Sequence, residues 1–388
     1  MKNFWMVLCF LFTYIDAYAK NNNSFITDNK TTLISVNDGE AGAIVSGKGE
    51  PVKDSITVIN LSPTTAPVIK TIYDKVPSTL FGAPHISILG NYIIVTNHNL
   101  RLDKNQNFVE LRSEITGDNQ VTVIDKRTLE ITDTLKLDSH PWLARVHPDK
   151  EIVLIGLSDG WLTLRIDYNG KIISQKSSSS ETSIISFDLS LDGESILAGV
   201  EDKSGLWLLS KFILNGDDTV THMGNTSKNN FTVDKPFAPR FNPKDNTVLI
   251  LNSGGTSDGV LDDVLIIDLA KNSVISSIPQ VADGLESLAI HPSGKFAVVA
   301  GLNAMPWSVT SHLIVISLEP EFEKVLYSIP VEALPEGIEF SKNGKKLFVG
   351  STFANHISVY DVNGFDLIRN KFVLSTGEGH AALGISFD

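Results

Sequence analysis

The residues that could do chemistry are scattered along the chain, and each lies just before or at the start of a short apolar run. They are His85, His140, Trp142, Arg240, Glu286, Glu336 and His380. Imidazole nitrogens from separate segments could hold a zinc- or copper-like ion, and a carboxylate could add an oxygen ligand. Two carboxyl groups in one site could instead serve hydrolysis.

These residue types also have structural interpretations. The three histidines could be solvated loop residues, and the two glutamates could simply bind water. His147 and His291 lie in His-Pro turns at strand ends, where we predict a packing role. Asp258, Asp262 and Asp263 could collect a calcium ion, although their spacing matches no standard oxygen-ligand loop.

No local sequence motif identifies a catalytic reaction. The sequence has no Gly-x-Ser-x-Gly, no His-Glu-x-x-His, no phosphate-binding Gly-Lys-Ser/Thr loop and no Cys-x-x-Cys-His. Any site must therefore be assembled by the fold from residues that are distant in sequence.

The elements that would position these residues are short strands. Apolar residues alternate with period two in runs such as 55–59, 120–124, 152–155, 264–267 and 357–360, and these runs are bounded by Asp, Asn and Gly. No amphipathic helix longer than two turns is evident. The sequence predicts an all-β chain.

An internal repeat organises these strands. An apolar strand that ends in Asp, Asn or Ser recurs seven times, at intervals of 42 to 65 residues, with ends at Asn60, Asp125, Asp167, Ser210, near Asp268, Ser317 and Asp361. A strand–turn–strand unit such as LAIHPSGKFAVVAG precedes most copies. This period is typical of propeller blades, and seven copies predict seven four-stranded antiparallel blades.

Residues 344–362 (GKKLFVGSTFANHISVYDV) and 92–99 (YIIVTNHN) resemble the repeats of YVTN-type β-propellers. That superfamily is similar to lactonase-like and amine-dehydrogenase-like seven-bladed propellers, many of them secreted or periplasmic. The resemblance covers nearly the whole mature chain and implies a fold more strongly than a function, because propellers host unrelated activities. The fourth copy, GLWLLSK, lacks the acidic strand end.

The two ends of the chain predict how the ring closes. The C-terminal GISFD, residues 384–388, matches the first strand of a blade, and 43–46, 56–60 and 68–72 would supply the other three strands. Alternatively, Leu33–Asn37 would be the inner strand itself and the C-terminus an outer cap. We favour the shared blade.

Strand parity predicts where a site would lie. In four-stranded antiparallel blades the long insertions at 100–119, 253–262, 303–312 and 221–236 all fall on one face. Innermost strands begin on that face, so the seven residues named first should surround the mouth of the central tunnel. Loops on a rigid scaffold commonly carry function.

The N-terminus predicts export. Lys2 precedes an apolar run that ends in Ala-Tyr-Ala at residues 17–19, which is typical of a signal peptide over 1–19. We expect a flexible leader at 20–31 and one propeller domain over 32–388. Cleavage removes Cys9, the single cysteine, and leaves no transmembrane segment. The periplasm or the extracellular space is the expected location.

The amino-acid composition limits the classes of partner that the protein could bind. The formal net charge of the 388 residues is −13, with no Lys/Arg block, which argues against nucleic acid. We favour a non-catalytic, monomeric propeller that binds a protein or a small molecule on its loop-rich face. A lactonase-like or other hydrolytic enzyme, and a periplasmic protein that binds or delivers zinc, copper or calcium, are the alternatives.

Overall fold

The computed structural model describes residues 30–39, 54–73, 75–76, 85–97, 100–102, 108–110, 119–254, 259–302, 310–320, 322–332 and 334–387. These residues form thirty β-strands. The first ten are β1 (Thr31–Asn37), β2 (Ser55–Leu61), β3 (Val68–Tyr73), β4 (His85–Leu89), β5 (Tyr92–Asn97), β6 (Leu100–Leu102), β7 (Phe108–Glu110), β8 (Gln120–Asp125), β9 (Ile131–Lys136) and β10 (Pro141–Val146).

The next ten strands are β11 (Ile152–Leu157), β12 (Gly160–Ile166), β13 (Ile172–Ser179), β14 (Ser183–Leu189), β15 (Ser195–Glu201), β16 (Trp207–Leu214), β17 (Val220–Asn225), β18 (Pro236–Phe241), β19 (Thr247–Asn252) and β20 (Asp262–Asp268). The last ten are β21 (Ser273–Ala282), β22 (Leu285–Ile290), β23 (Phe296–Gly301), β24 (Thr310–Ser317), β25 (Lys324–Glu332), β26 (Ile338–Phe340), β27 (Lys346–Ser351), β28 (His356–Asn363), β29 (Asp366–Ser375) and β30 (His380–Phe387).

The strands form seven four-stranded antiparallel sheets, the blades, and one small hairpin of β6 and β7. From the inside outward they are blade 1 (β4, β5, β8, β9), blade 2 (β10–β13), blade 3 (β14–β17), blade 4 (β18–β21), blade 5 (β22–β25), blade 6 (β26–β29) and blade 7 (β30, β1, β2, β3). Each innermost strand contacts the innermost strands of both neighbouring blades, and β30 contacts β4. The ring is therefore closed, which confirms the predicted seven-bladed β-propeller.

Blade 7 joins the two ends of the chain, as predicted. Strand β1 pairs with β30, with Thr31 opposite Phe387 and Leu33 opposite Ile385. On its other side β1 pairs with β2. The expected second strand at 43–46 is wrong, because β1 takes that place, and residues 43–46 lie outside the described residues. The alternative that Leu33–Asn37 is innermost is also wrong. Every residue of β1 is buried, as a strand hydrogen-bonded on both edges and covered on both faces requires.

The core consists of seven hydrophobic clusters, one between each pair of neighbouring blades. In β5, Ile93 and Val95 pack toward blade 7 while Ile94 packs toward blade 2. Alternate side chains of a strand point to opposite faces of its sheet, and both faces of each blade are covered. This explains why the central strands are continuously apolar.

Two positions in the repeat differ from the sequence prediction. Strand β16 continues past Ser210 to Leu214, so the fourth copy ends later than expected. The insertion expected at 221–236 begins after β17, which occupies Val220–Asn225. In both cases the strand extends beyond the residue at which the sequence pattern ended it.

The blades define two faces of the ring. The loop face carries the connections between second and third strands and between successive blades, such as 226–235. The turn face carries the short turns between first and second strands, such as 147–151 and 291–295. No helix among the described residues has the length and apolar character needed to cross a membrane.

Candidate functional site

The innermost strands surround a central channel, and its end at the loop face is called the channel mouth. Glu286 is the second residue of β22, and Glu336 lies two residues before β26. Both side chains are half-buried. They belong to adjacent blades, so the fold brings together two carboxyl groups that are 50 residues apart in the sequence.

The environment of this carboxyl pair favours the protonated form. Burial raises the pKa of Glu286 to about 7. Burial first, and the negative charge of Glu286 second, raise the pKa of Glu336 well above its usual range. A hydrogen bond with Thr352 lowers that pKa in part, and Asp38 raises it further. Near neutral pH the pair can therefore hold a proton and present both a donor and an acceptor.

His85 is the first residue of β4 and is half-buried. Burial, followed by the positive charge of Arg145, lowers the pKa of His85 to about 4. The imidazole is therefore neutral at physiological pH, with one nitrogen able to donate and the other able to accept a hydrogen bond.

His140 and Trp142 lie on either side of the first residue of β10. His140 is buried, and its carbonyl oxygen accepts a 3.0 Å bond from the Ser158 amide. Its ring stacks with that of Trp142 at 6.3 Å between centroids. The Trp142 indole Nε1 donates a 3.0 Å bond to the Ser183 hydroxyl at the start of blade 3. These two residues connect blades 2 and 3 at the mouth.

One of the predicted residues is placed differently, and the side chain of another is not described. Arg240 is the fifth residue of β18 and lies near the turn face, so its expected place at the start of an innermost strand is wrong. The physical reason is that β18 begins at Pro236, earlier than the polar residues suggested. His380 begins β30, but its side chain lies outside the described residues.

The metal hypotheses stay predictions. Within the part of the chain that the structure describes, no three His, Cys, Asp or Glu side chains are grouped to hold a metal ion. Of the aspartates considered for calcium, Asp262 accepts a 2.8 Å bond from the Gly284 amide and Asp263 a 3.0 Å bond from the Gln280 amide. Asp258 lies outside the described residues.

His147 and His291 take part in turn structure. The Nδ1 atom of His147 accepts backbone bonds from Asp149 and Lys150, at 3.0 and 3.1 Å. The Nε2 atom of His291 lies 3.1 Å from the carbonyl oxygen of Gly344 in the next blade. These contacts support the predicted packing role on the turn face.

Sequence reasoning missed a second set of charged side chains in the channel. Arg145, Asp188 and Glu339 are half-buried on innermost strands, at the same register position as Arg240. Each lies two residues before the first residue of the following turn, at His147, Ser190, Ser341 and, for Arg240, Asn242. Alignment of the blades on these turns would have revealed the set.

Comparison with known proteins gives the fold. No family model matches the chain, and no curated protein is significantly similar in sequence. A solved 6-phosphogluconolactonase homologue of Bacteroides fragilis is 12% identical with a TM-score of 0.65, over 93% of this chain and 99% of that one. A periplasmic gluconolactonase of Pseudomonas aeruginosa is 12% identical with a TM-score of 0.61, over 92% and 99%.

A Lactobacillus plantarum protein of solved structure is 10% identical with a TM-score of 0.66, over 92% of this chain and 99% of that one. Together, these likenesses extend over nearly the whole chain at very low identity, so they show architecture and leave activity open. This chain is a seven-bladed β-propeller with the architecture of the lactonase-like propellers.

Proposed function

We propose that this protein binds a small polar ligand in the channel mouth through Glu286 and Glu336. The observation that carries this proposal is the carboxyl pair itself. Two acidic side chains from adjacent blades lie in protein surroundings that raise the pKa of each. Such an arrangement costs folding free energy, and strongly shifted carboxyl pKa values are typical of functional sites.

The pair suits a ligand that both donates and accepts hydrogen bonds. When one proton is shared, one carboxyl group donates while the other accepts. His85 adds a neutral imidazole, and the half-buried Trp142 adds an aromatic surface at the same end of the channel. A ligand with hydroxyl or amine groups and a compact apolar part matches these side chains.

Thermal-shift screening with small polyols, amines and hydroxy acids, followed by calorimetry, tests the proposal. We expect a saturable ligand whose affinity falls at least about tenfold in Glu286→Gln and Glu336→Gln, because each change removes an ionisable partner. Glu194→Gln is the control, since Glu194 is exposed on the turn face. Equal affinities in all four proteins would contradict the assignment.

Lactone hydrolysis is the second candidate. A protonated and an ionised carboxyl group side by side can act as general acid and general base. The ionised group would take a proton from the attacking water, and the protonated group would give one to the ring oxygen as the ester bond opens. Two of the solved structures that share this fold are described as lactonases.

An assay of gluconolactone hydrolysis, in which the acid released is measured, tests this candidate. We expect kcat to fall at least about 100-fold in either glutamine variant, the usual effect of losing an acid–base group. If wild-type protein does not accelerate hydrolysis above the uncatalysed rate, the enzyme candidate is contradicted and only the binding function is retained.

We also infer that the protein is exported. The apolar run that ends at Ala19 supports this, and so does the periplasmic location named for one protein of the same fold. N-terminal sequencing of protein recovered from the cell exterior or the periplasm should begin at Lys20. Recovery of a chain that begins at Met1 would contradict export by cleavage.

A further inference from the structure

A layer of four charged side chains crosses the channel nearer the turn face. Arg145, Asp188, Arg240 and Glu339 come from the innermost strands of blades 2, 3, 4 and 6. All four are half-buried. They share one register position, so their exposed surface faces the channel, whereas their apolar strand neighbours pack between the blades.

The two arginines are incompletely neutralised. Nε of Arg145 lies 3.5 Å from an oxygen of Asp188, and its Nη1 donates a 3.3 Å bond to the Ala144 carbonyl. Nη1 of Arg240 donates a 3.0 Å bond to its neighbour, the Pro239 carbonyl. Among the described residues, no carboxylate oxygen lies within the 4.0 Å ion-pair distance of the Arg240 guanidinium.

Each carboxylate of the layer offsets the charge of the arginines only in part. Asp188 accepts a 3.1 Å bond from the Phe241 amide in addition to its contact with Arg145. Glu339 interacts with both arginines through its charge, but burial raises its pKa above the usual value. Burial first, and repulsion by Arg240 second, lower the pKa of Arg145 to about 10.

Two guanidinium groups that repel each other, and whose N–H donors are only partly used by the described residues, are suited to an anion. Each guanidinium has five N–H donors in a planar fork that matches the oxygens of a carboxylate or a phosphate. An anion between the two groups would offset their mutual repulsion and bond N–H donors that the described residues leave open. His85, which interacts with Arg145, adds a neutral group on the blade 1 side.

We propose that Arg145 and Arg240 form an anion subsite in the channel, so that the ligand carries a carboxylate or phosphate group. This inference rests on the proposed function, because it describes the second end of the ligand held at Glu286 and Glu336. Ala289 of β22 occupies the register position of the arginines and lies three residues beyond Glu286. At about 3.3 Å per residue, the two subsites are about 10 Å apart along the channel.

Glu339 competes with such an anion, which gives the proposal a distinctive consequence. When Glu339 is ionised, its negative charge partly neutralises the positive charge of both arginines. Its replacement by glutamine keeps the side-chain volume and removes the competing charge. Anion binding should therefore become tighter in Glu339→Gln, whereas a purely structural ion cluster would only lose stability.

Calorimetry of the full chain with inorganic phosphate at low ionic strength tests the subsite. We expect saturable binding that weakens at least about tenfold in Arg240→Gln and tightens by about threefold or more in Glu339→Gln. Arg127→Gln is the control, because Arg127 lies on an exposed turn and pairs with Asp125. Glutarate in place of phosphate shows whether a carboxylate is accepted as well.

The outcomes separate this inference from the proposed function. Arg240 makes no ion pair among the described residues, so its replacement leaves the Arg145–Asp188 contact intact, and thermal unfolding verifies the fold of each variant. Absence of saturable phosphate binding in both wild type and Glu339→Gln, or an unchanged affinity in Arg240→Gln, would overturn the subsite. Phosphate binding that persists in a Glu286→Gln/Glu336→Gln protein, with no ligand sensitive to those changes, would overturn the mouth assignment alone.

Discussion

At the scale of single residues, similar side chains serve different ends according to the face on which they lie. His147 and His291 use ring nitrogens to bond backbone atoms of the turn face. Glu286 and Glu336 instead lie in the channel mouth, where burial disfavours their charged forms. Buried polar groups are normally matched with partners, so a carboxyl pair with raised pKa values is more informative than a buried histidine.

The raised pKa of Glu286 predicts that this residue lowers the free energy of unfolding at neutral and alkaline pH. Because the folded-state pKa, about 7, exceeds the usual value of 4.5, folding takes up a proton. The contribution of Glu286 protonation to the free energy of unfolding is complete at acidic pH and is lost as the pH rises from about 4.5 through about 7. At about 1.4 kcal/mol per pKa unit, Glu286→Gln should raise the free energy of unfolding by about 1 to 3 kcal/mol at pH 8.

Urea denaturation at pH 5 and pH 8 provides the measurement. The difference between wild type and Glu286→Gln should be clearly smaller at pH 5, where most of the wild-type side chain is protonated in the folded state. Glu194→Gln should show no comparable change between the two pH values. Parallel pH profiles for wild type and Glu286→Gln would mean that Glu286 titrates as an ordinary exposed carboxyl group.

At the scale of elements, the turns between first and second strands connect the blades. His291 of blade 5 lies against Gly344 of blade 6, and Asn242 of blade 4 donates a 3.3 Å bond to the Gly294 carbonyl of blade 5. Gly294 and Gly344 have φ angles of +71°. A Cβ atom on Gly344 would lie 2.2 Å from Nε2 of His291. Each of these two turns therefore both reverses its own chain and receives a side chain from the preceding blade.

Gly344→Ala should be much more destabilising than a matched substitution at Gly364. Gly364 has a similar φ of +61°, but nothing lies within 4 Å of the position that its Cβ would take. Gly364→Ala should cost about 1 kcal/mol for the left-handed backbone alone. Gly344→Ala should cost about 3 kcal/mol, because displacement of His291 is added.

Denaturation of the two variants, and of each combined with His291→Ala, checks this explanation. Removal of the imidazole should reduce the cost of Gly344→Ala toward that of Gly364→Ala and should leave the cost of Gly364→Ala unchanged. Equal costs at the two glycines in the wild-type background would show that the turns do not couple the blades.

At the scale of the whole molecule, stability depends on closure of the ring. Seven clusters lie between seven pairs of blades, so loss of one blade exposes apolar surface on both of its neighbours. Blade 7 joins the chain ends through the pairing of β1 with β30. The mature chain is predicted to contain no cysteine, so this pairing takes the place of a covalent connection.

Removal of residues 384–388 should therefore destabilise the entire ring. The deletion takes away the partners of Thr31, Thr32, Leu33 and Ile34 and leaves an unpaired edge on β1. A loss of about 5 kcal/mol or more corresponds to a decrease of roughly 6 °C or more in Tm for a chain of this size.

Differential scanning calorimetry compares this protein with one that lacks residues 20–29, which precede the first described strand. The N-terminal deletion should leave Tm within about 1 °C, an interval that corresponds to under about 1 kcal/mol. Equal Tm values for the full-length and C-terminally shortened chains would show that β30 contributes little to closure.

The architecture could be predicted from local patterns in the sequence. Short apolar runs with period two, a repeat of about 40 to 65 residues and turn residues at each end predict four-stranded blades, and their number predicts the ring. Such patterns are local or periodic, so they survive without any knowledge of contacts. The shared terminal blade followed from the similarity of GISF at 384–387 to GIEF at 337–340.

Which distant residues come into contact depends on tertiary packing and could not be predicted from local patterns. Strand β1 proved to be the second strand of blade 7, because its burial on both faces depends on neighbours that no local pattern specifies. Arg240 moved from the mouth to the layer of Arg145, Asp188 and Glu339, since a shift of a few residues along a strand transfers a side chain to the other end of the channel. The electrostatic coupling of Glu286 with Glu336 arises from the proximity and burial of groups on separate blades, and these are properties of the closed ring.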